Sequence, residues 1–181
     1  MSGISLPAIV AAFFWLLFVA GTPLWALEGK GPRCGIKPLD QSGRMQVSPE
    51  DRCPVCGMKV IRYPKFSSAI QLDDTTTYYF CGTGCMIRSW MHPEIYLGAE
   101  PSALKRPVVR EYFTGRQVDA RDIIFVSGSD IIGPMGPALV PVMDENHLKV
   151  LKKRHGAKTD FLLKDINDAN WFEMTGKMIR Q

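Results

Sequence analysis

The chain has 181 residues, with 22 Lys and Arg against 18 Asp and Glu, which gives a net charge of +4. The basic residues are scattered rather than grouped, which argues against a nucleic-acid-binding protein. There is no glycine-rich phosphate loop, so a nucleotide-binding protein is not indicated. Five cysteines are an odd number, so at least one thiol is unpaired or bound to a metal.

The N-terminal segment, residues 4–27, carries no charged side chain. Its length and uniform apolar character predict a hydrophobic helix, within a signal peptide or membrane anchor that spans residues 1–27. Gly21 and Pro23 interrupt the run, and Ala26 offers a position for cleavage. Either interpretation predicts export of the remaining chain to the periplasm, free or anchored to the inner membrane.

The next segment, residues 28–50, is rich in glycine and proline and lacks apolar periodicity, which is typical of a linker. Cys34 lies in this segment. It is either a loose thiol or an auxiliary metal ligand. The folded part is then predicted to divide into a first α+β repeat, residues 51–106, and a second one, residues 107–181.

Two close cysteine pairs dominate the first repeat. Cys53 and Cys56 lie in a Cys-Pro-Val-Cys-Gly sequence, whose proline restricts the backbone and whose glycine permits a tight turn. Cys81 and Cys85 are spaced so that a helix would place both on one face. We therefore expect the four sulfurs to converge on one site, separated by about 4–7 Å, because metal–sulfur bonds are about 2.3 Å long.

Thiolates select soft metal ions such as Cu(I) and zinc. Met58, beside the first pair, favours Cu(I), because a thioether is a good Cu(I) ligand and adds nothing to a structural zinc site. Two alternatives stay open at this point. The cysteines form either a structural zinc site or two structural disulfides in an oxidising compartment.

The patterning elsewhere predicts an α+β fold with two ββαβ-like repeats. Alternating or β-branched runs predict strands at residues 65–72, 76–80, 108–113, 123–127, 138–143 and 160–163. Apolar periodicity predicts helices at residues 81–91, 144–155 and 165–181. Asp144 is the expected N-cap of the middle helix, and Gly156 is expected to end it.

A second unusual stretch is the loop at residues 133–137, Gly-Pro-Met-Gly-Pro. Its prolines and glycines predict a bent loop with Met135 at the tip. Met135 is either a thioether ligand for a metal or a side chain that fills a gap between the two halves. His155 is a further candidate ligand, although its place at a helix C-terminus also suits binding of the end carbonyls.

Three motifs occur in order: Cys-Pro-Val-Cys-Gly-Met, Phe-Cys-Gly, and Val-Ser-Gly-Ser-Asp-Ile-Ile-Gly-Pro-Met-Gly-Pro-Ala-Leu-Val-Pro-Val. Together they resemble the NosL family, the accessory copper chaperones of nitrous oxide reductase in denitrification, over residues 51–166. The resemblance implies a two-repeat fold like that of organomercurial lyase. It implies that Cu(I) is held by Cys56, Met58 and Met135, with Cys53 beside them and His155 as a weaker addition. It also implies delivery to the membrane complex that matures the copper enzyme, or to the reductase itself.

Two features depart from the family pattern. Family members are commonly lipoproteins, and no lipobox precedes a cysteine in this chain. Cys81 and Cys85 add thiols that simpler members need not have, so all four clustered cysteines are candidate ligands. The leading hypothesis is a periplasmic Cu(I) metallochaperone that is not an enzyme. The alternatives are a thiol–disulfide oxidoreductase that uses Cys53 and Cys56, an organomercurial lyase, and a structural zinc adaptor.

Overall fold

A computed structural model describes residues 32–177. The hydrophobic helix predicted at residues 4–27 and the last residues of the predicted C-terminal helix, 178–181, lie outside this range. Between residues 32 and 177, no helix combines the length and the apolar character needed to cross a membrane.

The described residues form a mixed fold of short strands and helices. The strands are β1 Ser68–Leu72, β2 Thr77–Phe80, β3 Leu104–Arg110, β4 Gln117–Asp119, β5 Ile124–Ser127, β6 Ile132–Gly133, β7 Gly136–Pro137, β8 Val140–Val142 and β9 Thr159–Leu162. The helices are α1 Thr83–Met91, α2 Pro93–Tyr96, α3 Glu145–His155 and α4 Asp168–Thr175.

The strands form two main antiparallel sheets and one small hairpin. The first sheet has the order β2-β1-β3-β4, the second has the order β8-β5-β9, and β6 pairs with β7. In both main sheets the first strand in sequence lies between two later strands, and a helix precedes the second of these, β3 in the first sheet and β9 in the second. Helices combined with antiparallel sheets confirm the predicted α+β class.

Two elements differ from their predicted positions. The C-terminal helix expected at residues 165–181 is α4, Asp168–Thr175, and it ends where Gly176 adopts a φ of 66°. The strand expected at residues 108–113 lies instead at Leu104–Arg110. Glu111 ends it, because its buried carboxylate accepts hydrogen bonds from the backbone N–H groups of Phe113 (3.0 Å) and Thr114 (2.6 Å). These bonds turn the chain back towards β4. The apolar pattern extends past the end of the strand because Tyr112 and Phe113, which lie in the turn, also pack against buried residues.

The second sheet is buried on both faces. Successive side chains of a strand point to opposite faces, and in β5 both Phe125 and Val126 are fully buried. Phe125 stacks on Phe161 within the main core, while Val126 belongs to a smaller core with Leu151 of α3. The second sheet therefore lies between α3 and the first half, which joins the two halves through one continuous apolar core.

Helix α3 begins and ends where its sequence predicts. The Asp144 carboxylate accepts hydrogen bonds from the backbone N–H groups of Asn146 and His147, both at 2.9 Å. Gly156 follows the last turn with a φ of 71°, a backbone conformation that glycine adopts without strain. The amphipathic helix is thereby fixed at both ends against the second sheet.

The segment at residues 32–50 contains no helix or strand, but it packs closely on the first half. Leu39 and Met45 are buried in the main core. The Tyr79 hydroxyl donates a hydrogen bond to the backbone carbonyl of Lys37 at 2.9 Å. The buried Asp51 carboxylate accepts from the backbone N–H of Ile36 at 2.9 Å. These contacts fix the path of the chain as it approaches the first cysteine pair.

Candidate metal centre

The first cysteine pair lies in a closed turn. The backbone N–H of Cys53 donates to the carbonyl of Met58 at 2.9 Å, and the N–H of Gly57 donates to the carbonyl of Cys53 at 2.8 Å. Gly57 has a φ of 74°, so this turn requires a residue without a side chain to remain unstrained. A single antiparallel bridge between Arg52 and Lys59 closes the base of the turn.

The second pair joins a strand to a helix. Cys81 directly follows β2, and Cys85 lies in the first turn of α1. We expected both cysteines on one face of a helix, but only Cys85 lies in α1. The extended residue Gly82 separates Cys81 from the helix. Their sulfurs are nevertheless 3.9 Å apart.

The two pairs meet at one point. All four sulfurs, those of Cys53, Cys56, Cys81 and Cys85, lie within 4.8 Å of one another, which confirms the predicted convergence. The sulfurs of Cys56 and Cys81, one from each pair, are 3.4 Å apart, and this separation and the 3.9 Å within the second pair are shorter than the expected separation of about 4–7 Å. Sulfurs bound tetrahedrally to one metal at about 2.3 Å would be about 3.8 Å apart. All four cysteines are free thiols, and their arrangement suits a single metal ion better than two disulfides.

The four thiols differ in burial and in the direction in which their pKa values are shifted. Cys53, Cys81 and Cys85 are buried, whereas Cys56 is half-buried. Hydrogen-bonding contacts with Cys53, and then with Cys81 and Cys85, lower the pKa of the Cys56 thiol. Contacts with Cys53 and then Cys56, together with burial, raise the pKa values of Cys81 and Cys85. The group thus favours a thiolate at Cys56, while the thiols of Cys81 and Cys85 lose their protons only when a cation arrives.

A cavity of about 660 Å³ opens above the sulfurs, lined in part by Cys56, Cys85 and Met135. Met135 lies at the tip of the hairpin that joins β6 to β7, with 47% of its surface exposed. The buried Thr83 hydroxyl donates to the backbone carbonyl of Leu139, which fixes this hairpin region to the start of α1. The structure therefore brings Met135 to the cavity that contains the accessible sulfurs.

Two cationic side chains line the same cavity, Arg88 of α1 and Lys177 after α4. The Lys177 ammonium donates to the backbone carbonyl of Pro137 at 2.7 Å. It lies above the first turn of α1, where a Cβ placed on Gly84 would be 3.6 Å away. Burial lowers the pKa of Lys177, while the nearby Cys85 opposes that shift. Neither residue was predicted from the sequence. No motif or periodicity identifies a cationic side chain that reaches the site only through tertiary packing.

The remaining candidate residues lie elsewhere. Met58 lines a separate cavity with Tyr63 on the outer side of the cysteine turn. His155 lines another cavity, where its Nδ1 atom is 2.8 Å from a carboxylate oxygen of Asp130. Cys34 is exposed and does not belong to the sulfur group. Of the residues implied by the family resemblance, the structure thus brings Cys56 and Met135 to one cavity. The buried Cys53 belongs to the adjoining sulfur group and does not line this cavity.

Four close thiols beneath an open cavity, on an α+β scaffold, define a protein that can bind a soft metal ion. Residues 44–171 match the NosL family, and the chain belongs to that family. The copper-binding lipoprotein NosL of Stutzerimonas stutzeri is 29% identical over 145 residues, which cover 77% of this chain and 76% of the relative. The crystal structure of the copper chaperone NosL from Shewanella denitrificans has a similar fold, with a TM-score of 0.60 and 19% identity. That match covers 69% of this chain and 96% of the other.

Proposed function

We propose that this protein is a Cu(I) metallochaperone that binds copper at the four-thiol site and passes it to a partner, without catalysing a reaction. The observation that carries the proposal is the convergence of four sulfurs within 4.8 Å at the base of an open cavity. Copper is the cargo. The names of two relatives, a copper-binding lipoprotein and a copper chaperone, support the choice of metal.

The ligands are drawn from Cys53, Cys56, Cys81 and Cys85, with Met135 as a thioether at the cavity. Cu(I) is a soft ion that thiolate and thioether sulfur both select. Two or three of these sulfurs suffice for a low-coordinate Cu(I), so the group contains more sulfurs than one ion requires. The surplus allows one sulfur to be exchanged while the others retain the metal. This exchange is what a carrier needs.

Cys56 is the ligand through which transfer begins. It is the one cysteine of the four that is not buried, and it lines the cavity with Met135. A partner's sulfur enters the cavity and binds the copper, after which the bond to Cys56 breaks and the copper moves outward. The buried Cys81, which does not line this cavity, releases the ion last.

The client and the location complete the proposal. The protein is exported and acts in the periplasm, where it supplies copper to the maturation complex of nitrous oxide reductase or to the reductase itself. Both the lipoprotein relative and the charge-free N-terminal run support export. Whether residues 1–27 are cleaved or act as an inner-membrane anchor would be decided by the intact mass of the periplasmic protein.

A structural zinc site is the second candidate, and one observation favours it. Four thiols with separations near those of a tetrahedral metal site also suit Zn²⁺. Zinc on four thiolates would be closed and would stabilise the fold, whereas a carrier exchanges its ion. Anaerobic titration of the reduced, tag-free protein with Cu(I) and with Zn²⁺, each against a chelator of known affinity, separates the two functions.

The decisive variant is Cys56→Ser. A hydroxyl is a hard donor, so this change should abolish tight Cu(I) binding at the expected stoichiometry of one ion per chain, and the remaining sulfurs should hold the ion only weakly. Cys34→Ser is the matched control, because Cys34 is exposed and outside the group. Tight Cu(I) binding that survives in Cys56→Ser would overturn the proposal, and so would loss of tight binding in the control.

A further inference from the structure

The cavity above the sulfurs is lined by two cationic side chains, Arg88 and Lys177. Among residues 32–177, its lining contains no Asp or Glu. Within residues 32–177, neither cation forms an ion pair with a carboxylate. The Arg88 guanidinium lies 5.6 Å from the centre of the Tyr96 ring, and its Nε atom is buried without a hydrogen-bond partner. Lys177 donates to a backbone carbonyl. Cations on a protein surface are usually solvated or paired, so this arrangement favours an anionic group in the cavity.

The mouth of the cavity is also apolar. Met135 lines it and is 47% exposed, and the adjoining Ile132 of β6 is 66% exposed. Large apolar side chains exposed beside a functional cavity are typical of a surface that meets another molecule. The mouth thus offers three kinds of contact together: soft sulfur, apolar surface and positive charge.

We propose that this mouth docks a segment of the receiving protein in which a Cys or Met is flanked by acidic residues. The proposal rests on the proposed function, because it describes the receiving side of the same transfer. The partner's sulfur reaches towards Cys56, and its flanking carboxylates pair with Arg88 and Lys177. Such charge complementarity accelerates encounter and selects the partner.

The transfer step balances without a change of oxidation state. A lone pair of the partner's sulfur forms a new bond to Cu(I) as the bond from Cu(I) to the Cys56 sulfur breaks. Copper remains Cu(I), and the released Cys56 thiolate stays ionised or takes a proton from water. A partner thioether gives up no proton, whereas a partner thiol releases one to the solvent.

Two labelled peptides provide the test. Both contain the same pair of methionines, flanked by aspartates in one peptide and by lysines in the other. Binding to the reduced, copper-free protein is followed by fluorescence anisotropy at low and high salt. We expect the aspartate peptide to bind about tenfold more tightly at low salt, with the difference lost at high salt.

The variants Arg88→Gln and Lys177→Gln should each reduce this preference by about threefold or more. The control variants are Lys149→Gln and Lys153→Gln, which each remove one positive charge on the exposed face of α3, away from the cavity. They should leave the preference for the aspartate peptide unchanged. If Arg88→Gln impairs folding, as read by circular dichroism, Lys177→Gln and the salt dependence of the unmodified protein still give the answer.

Equal binding of the two peptides would overturn the docking proposal, as would an aspartate preference that persists in both cavity variants. Variants that weaken Cu(I) affinity without affecting peptide preference would also overturn it, because the cations would then serve only to neutralise the thiolates. The peptide-binding assay contains no copper, so its result does not depend on Cu(I) binding. If the protein failed to bind Cu(I), the proposed function would be contradicted, and the peptide assay would still test the docking proposal.

Discussion

Replacing Met135 by leucine separates a metal ligand from a packing residue. Full burial of a methionine side chain is worth about 1.5–3 kcal/mol. Because 47% of Met135 is exposed, removing the whole side chain would cost at most about half of that. Leucine retains most of the volume, so the free energy of unfolding should fall by less than about 1 kcal/mol.

The Cu(I) affinity should respond differently, because leucine removes the thioether from the cavity that also contains Cys56 and Cys85. We expect the dissociation constant for Cu(I) to rise by about tenfold, which corresponds to about 1.4 kcal/mol. Anaerobic competition against a chromogenic Cu(I) chelator measures this, and a thiol assay verifies that the cysteines remain reduced. Thermal unfolding of the copper-free protein measures stability in parallel.

Met143→Leu is the matched control, since Met143 follows β8 and does not line this cavity. It should leave the Cu(I) affinity unchanged. If Met135→Leu binds Cu(I) as tightly as the unmodified protein but unfolds at a clearly lower temperature, then Met135 is a packing residue and its assignment as a ligand is wrong.

Three further predictions concern the framework of the site. Thr83→Val leaves the buried carbonyl of Leu139 without its donor, so the free energy of unfolding should fall by about 1–3 kcal/mol in denaturant titration; an unchanged midpoint would contradict this. Gly57→Ala meets no neighbouring atom but retains a positive φ, so it should cost about 1–2 kcal/mol, and equal stability would show that the turn relaxes. Because the raised pKa values of Cys81 and Cys85 keep those thiols protonated, Cu(I) must displace protons, and its apparent affinity should rise with pH between about 6 and 8. A flat pH profile in the chelator assay would contradict that mechanism.

The convergence of the four cysteines was predictable because two close cysteine pairs are the usual ligand pattern of a single metal site. The turn around Cys53 and Cys56 depends on a glycine beside the pair, and Cys81 follows a strand whose β-branched and aromatic residues are recognisable. The position of Cys81 before α1 was less predictable. A spacing of four residues suits a helical face, and the extended Gly82 that breaks this pattern has no sequence signature other than being glycine.

Contacts between distant segments were not predictable from local patterns. Lys177 reaches the site through its bond to Pro137, and the two are far apart in sequence. The segment at residues 32–50 has the composition of a linker, yet Leu39 and Met45 are buried. Its backbone hydrogen bonds use side chains such as Asp51 and Tyr79 rather than a regular ladder, so no periodicity reveals its packing.

The hydrogen bonds of Asp51 fix the position of the chain that precedes the first cysteine pair. This residue lies two positions before Cys53, and its buried carboxylate accepts from the backbone N–H groups of Ile36 and Ser48. These two hydrogen bonds hold residues 36 and 48 against the start of the cysteine turn, so this part of the chain is fixed to the fold. The point at which the chain enters the fold is therefore fixed relative to the sulfur-lined cavity.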